Sequence, residues 1–144
     1  MPQNIWPWNN PNGLRESSQT NFSYGTSTAT SSTTLTAAKL TGAADDVFLN
    51  MTGTLAAGAT ATTDTAANIV AAIPQAQRYV GANYILRIIN SSSGAFAWTI
   101  AGGSGVTVNG TATIAQNTWR EFLVTLGSGL TTVTLQSVGT GTNS

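Results

Sequence analysis

From residue 32 onward the chain is a succession of short β-type runs cut by Gly, Ser and Asn clusters at regular spacing, and this punctuation constrains the fold more than any other feature. Runs of that length are too short for most helices and are bounded by turn formers, so they read as strands. NYILRIIN alternates Tyr84, Leu86 and Ile88 on one face with Ile85, Arg87 and Ile89 on the other. Both faces are largely apolar, which predicts a central strand. AFAWTI places Phe96, Trp98 and Ile100 on one side and Ala95, Ala97 and Thr99 on the other, the alternation of a half-buried strand. WREFLVTL and TTVTLQSV follow, joined by GSG. With TTLTAAKL and VFLNMTG, about seven or eight strands are expected, the number and spacing of a sandwich or barrel.

Two local signals refine this expectation. In VTVNGTATIA the pair Asn109-Gly110 separates two β-type runs, and Asn-Gly supplies the positive φ angles of a type I′ hairpin. In TTDTAANIVAAIP, Thr63 or Asp64 can cap a helix whose apolar stripe is Ala66, Ile69, Val70 and Ile73, with Pro74 as its stop. The expected fold is therefore all-β, with one short helix lying across an open sheet end.

The first 31 residues differ in kind. They are rich in Asn, Ser, Thr and Pro, with Trp6, Trp8, Phe22 and Tyr24 as isolated anchors. Pro2, Pro7 and Pro11 remove backbone donors, and Asn4, Asn9, Asn10 and Asn12 favour turns. The opening MPQNIWPWNN also lacks the cationic start and apolar run of a secretory signal. Residues 1–31 are read as an extended N-terminal arm and residues 32–144 as the β-domain. Ile5, Trp6, Pro7, Trp8, Phe22 and Tyr24 are the candidate partner-binding residues of the arm.

Composition then removes whole classes of function. Five Lys plus Arg and five Asp plus Glu give no net charge, far below the charge density of an ordinary soluble domain. A surface so poorly charged lacks colloidal protection, which suits a protein covered by partners. Lys39 is the only lysine, so the cationic cluster that nucleic-acid binding requires is missing. No apolar run spans a bilayer and no basic amphipathic helix is present, so no membrane partner is expected.

Catalytic signals are equally sparse. With no histidine and no cysteine there is no imidazole base or metal ligand and no thiolate. A Ser-Lys dyad would have to use Lys39, and no serine stands out as its partner. Asp45 and Asp46 are the only adjacent carboxylates, and they read as turn formers. Asp64 adds another carboxylate, but the three match no calcium loop. AGGSGV and VGTGTN open no helix and are followed by no Gly-Lys-Ser, so they read as turns, not phosphate cradles. Arg87, Arg120 and Glu121 read as ion pairing at a strand edge or subunit boundary, and Arg87 needs a partner if it is buried. The sequons at Asn21, Asn50, Asn90 and Asn109 arise easily in so Asn- and Thr-rich a chain and carry no assignment. No catalytic residue, cofactor or metal is expected.

The block LRIINSSSGAFAWTIAGGSGVTVNGTATIAQNTWREFLVTL, followed by TTVTLQSVGTG and preceded by ATTDTAANIVAAIPQA, resembles β-rich virion proteins of tailed bacteriophages over residues 58–141. The likeness lies in Gly-bounded Val/Ile/Thr strands. In size and in its N-terminal arm the chain is most like a capsid decoration (cement) protein. That resemblance implies a jelly-roll-like β-sandwich or barrel, self-association often as a homotrimer, and binding of the major capsid protein on the capsid exterior. Tail-fibre and tail-spike domains share this texture and stand as the alternative, as does a carbohydrate-binding module using Trp98 or Trp119.

The arm fits such a role energetically. Burying two tryptophans contributes at most about 8–12 kcal/mol, and ordering about eight residues costs about 8–16 kcal/mol. One arm nearly breaks even. Several arms on one oligomer bind strongly, because each later attachment is intramolecular.

Overall fold

The computed structural model describes residues 22–42 and 46–143. The expected arm residues Ile5, Trp6, Pro7 and Trp8 lie outside the described residues, as does Asp45. In chain order the elements are β1 (Phe22–Ser27), β2 (Thr33–Leu35), α1 (Ala37–Thr41), β3 (Asp46–Met51), β4 (Ala59–Thr63), α2 (Ala66–Ala72), β5 (Asn83–Asn90), β6 (Trp98–Ala101), β7 (Val106–Asn109), β8 (Thr113–Ile114), β9 (Thr118–Leu126) and β10 (Val133–Thr142). The protein is mostly β, with two sheets. One has the order β1-β3-β5-β9-β10-β7 and the other β2-β4-β6-β8.

Consecutive strands alternate between the two sheets as far as β9. In the larger sheet β1, β3 and β5 pair in parallel, and in the smaller sheet β2, β4 and β6 do the same. Parallel neighbours need long crossovers, and here each crossover runs through the opposite sheet. The direction then reverses, with β9 antiparallel to β5 and β8 antiparallel to β6. β5 lies between β3 and β9, the central position its apolar pattern predicts.

The core is the space between the sheets. Val47, Leu49, Leu86, Ile88, Phe122, Val124, Leu126, Val133 and Leu135 enter from the larger sheet, and Leu35, Ala61, Trp98, Ile100 and Ile114 from the smaller. Two polar clusters close its ends. At one, Asn90 is fully enclosed: its Nδ2 donates to the carbonyls of Phe96 (3.1 Å) and Ile114 (2.9 Å), and its Oδ1 accepts from Ser92 N at 3.1 Å. Ser92 Oγ in turn accepts from Trp98 Nε1 at 3.0 Å. At the other end α1 and α2 pack together, joined by Asp64. One Asp64 carboxylate oxygen accepts from Ala37 N (2.9 Å), and the other from Thr65 N (2.8 Å) and Asn68 Nδ2 (2.7 Å).

Several expectations need correction. TTLTAAKL is a strand only over Thr33–Leu35; Ala37–Thr41 is a second helix, because Asp64, distant in sequence, satisfies the N–H that opens it. In α2 the cap is Thr65, whose Oγ1 accepts from Asn68 N at 3.2 Å, and neither Thr63 nor Asp64 takes that position. The Asn109-Gly110 hairpin does not form. Gly110 has φ +81°, but Asn109 has no positive φ, and the segment crosses from β7 in the larger sheet to β8 in the smaller. Finally, pairing begins at Phe22, inside the segment whose composition reads as arm, and β1 is an edge strand of the larger sheet.

Candidate interaction surface

The face of the larger sheet that points away from the core carries the densest aromatic surface among the described residues. Period-2 alternation on β3, β5 and β9 sends Phe48, Ile85, Arg87, Ile89, Trp119, Glu121 and Leu123 to this face while their neighbours fill the core. Register aligns them into rows. Tyr24, Phe48, Arg87, Glu121 and Gly139 cross successive strands in one row. Thr26, Asn50, Ile89, Trp119 and Gly141 form the next.

The centre of the face is Arg87. Its guanidinium carbon lies 5.0 Å from the ring centre of Phe48 and 4.3 Å from that of Trp119, within cation–π range. Its Nε donates to Glu121 Oε2 at 2.9 Å and its Nη2 donates to the same oxygen. Arg87 therefore has the partner that the sequence requires of it, and the pair is internally neutral. Phe22 stacks on Phe48 with ring centres 5.2 Å apart. The Tyr24 hydroxyl accepts from Asn50 Nδ2 at 3.1 Å. At the far side, Trp119 lies over β10, where Gly139 and Gly141 present no side chains to displace it.

Of the arm candidates, Phe22 and Tyr24 are thus strand residues of this face, about half exposed at 49% and 57%. Phe48, Arg87, Trp119 and Glu121 complete it, and only the isolated Arg87 among apolar neighbours hints at the cluster in the sequence. Arg120, beside Glu121, points the other way and donates to Thr113 O and Ser137 Oγ.

Of the two sugar-stacking candidates, one is enclosed and the other is hemmed in by its neighbours. Trp98 is fully buried, and Trp119 is bounded by Arg87 and the β10 backbone. A separate cavity of about 200 Å³ lies at the helical end, lined by Asp46, Gln77, Tyr79, Asn83 and Tyr84 among others. Its polar groups are partly engaged: Asp46 Oδ1 accepts from Ile85 N at 3.1 Å, and Tyr84 Oη donates to Leu40 O at 2.7 Å. Burial raises the Tyr84 phenol far above the usual tyrosine range, so it stays a neutral donor. Among the described residues no group of three or more acidic side chains assembles in a geometry able to hold a metal ion. Compared with known proteins, the chain matches no family model, no curated protein and no solved structure.

Proposed function

We propose that this protein is a non-enzymatic virion protein of a tailed bacteriophage, a capsid decoration (cement) protein. It self-associates, with a trimer favoured, and binds the head exterior, where it stabilises contacts between major capsid protein subunits. The observation that supports this reading best is the outer face around Arg87. It is aromatic, its central Arg87 is neutralised by Glu121, and it begins at β1, the first strand of the sheet. Faces of this composition are suited to being covered by protein. The chain's scarcity of charge points the same way.

The architecture in this reading is the two-sheet sandwich. A jelly roll is built from antiparallel Greek keys, whereas the β1-β3-β5 and β2-β4-β6 neighbours are parallel.

The test is co-sedimentation with phage heads stripped of decoration protein, using the intact chain and a variant lacking residues 1–20. That cut stops short of β1. Saturable binding of the intact chain supports the reading, and a monomer without affinity for heads would falsify it. A second reading, a tail-fibre or tail-spike domain, draws on the parallel stacking of alternating strands, a geometry that can elongate by adding coils at an open edge. Binding to isolated tails and not to heads would select it.

A further inference from the structure

We propose that the segment Ile5–Trp8 of one copy docks on the Arg87 face of a second copy, so that the chain assembles by exchanging its N-terminal arms. This inference concerns the free protein and does not rest on the virion reading.

The face and the segment match in size. The rows from Phe22 to Thr26 across β1, β3, β5, β9 and β10 span about 13 Å by about 19 Å, or about 250 Å². Two indoles have about 300–500 Å² of surface in all, of which one side, about half, can lie on the face. Charge does not oppose the match. Residues 1–13 carry no charged side chain, Arg87 and Glu121 at the centre of the face neutralise each other, and Asp46 at its end accepts from Ile85 N. Pro7 restricts the free segment and so lowers part of the cost of ordering it on a partner.

Position and direction favour a neighbouring copy. The arm joins the domain at Phe22, on the edge strand of this same face. β1 runs from Phe22 to Ser27 along the edge of the sheet, so a segment that covers its own face has to fold back over Phe22. From Phe22 back to Trp8 the chain can extend about 46 Å, more than twice the width of the face. A second copy is within reach, and the exchange lets each face receive one arm.

The chain has no native cysteine, so single cysteines report proximity cleanly. Asn9→Cys marks the arm without removing a tryptophan, Thr26→Cys marks the exposed margin of the face, and Thr99→Cys marks the opposite sheet as a control. Full-length Asn9→Cys protein is mixed with either of the others under mild oxidation and read on a non-reducing gel. The expected result is a heterodimer with Thr26→Cys that is absent with Thr99→Cys, and its loss when Trp6→Ala and Trp8→Ala are added to the arm chain. Equal cross-linking to both partners, or none to Thr26→Cys, overturns the proposal. So does a cross-link that forms only within one chain carrying both Asn9→Cys and Thr26→Cys, since the arm then covers its own face. No phage particle enters the experiment, so its failure leaves the virion reading to its own test.

Discussion

Trp119 packs against Gly141 of the neighbouring strand, so close that a Cβ on Gly141 would stand 2.5 Å from the indole Cζ2. The missing side chain is what lets the indole sit against β10 while its ring meets Arg87 at 4.3 Å.

Gly141→Ala therefore forces Trp119 off β10 and out of register with Arg87. Overpacking of this kind costs about 1–3 kcal/mol. The expected outcome is a melting temperature lower by several degrees, with a changed near-ultraviolet circular dichroism signal from the displaced indole. An unchanged spectrum would show that Trp119 does not occupy this seat.

Glu121→Gln keeps an acceptor beside Arg87 but removes the charge that balances it. The two side chains are 31% and 23% exposed, so water softens the loss, and about 1–2 kcal/mol of destabilisation is expected. Replacing both together, Arg87→Leu with Glu121→Leu, removes the uncompensated charge and recovers much of that loss. Urea midpoints of the single and double variants measure the coupling.

Asp64 confers a pH dependence of definite sign. Hydrogen bonds from Asn68 first, then Thr65 and Ala37, hold its carboxyl below the ordinary carboxylate range. Its folded pKa lies under the unfolded one, so its contribution is present above the unfolded value and fades as pH falls through the folded one. The difference in melting temperature between the native chain and Asp64→Asn is expected to be steady at neutral pH and to shrink below about pH 4. A difference that grows in acid would contradict this assignment.

Asn90→Ala leaves the carbonyls of Phe96 and Ile114 and the N–H of Ser92 without their side-chain partner inside the sandwich. Each buried orphan costs about 1–3 kcal/mol. Loss of several kcal/mol is expected, enough to lower the yield of folded protein sharply. Hydrogen exchange should locate the damage at the Ser91–Ala97 loop.

Features that depend on a residue and its near neighbours can be read from the chain alone. Period-2 alternation marks β5, β6, β9 and β10, and Pro74 bounds α2, because side-chain direction and proline sterics are properties of the local backbone. The need of Arg87 for a partner was also legible, since its five flanking apolar residues announce burial. Which strands meet depends on long-range packing. Nothing local distinguishes a parallel ladder from an antiparallel one, so the coiling of β1 to β6 between two sheets was invisible. Asn109-Gly110 permits a tight hairpin but cannot impose one. β7 gains a ladder with β10 and β8 gains one with β6, and the turn opens into a crossing. The short helix α1 likewise depends on a carboxylate 27 residues away. The Arg87 face follows the same logic: Phe22, Phe48, Arg87 and Trp119 become neighbours only when strand register lines them up.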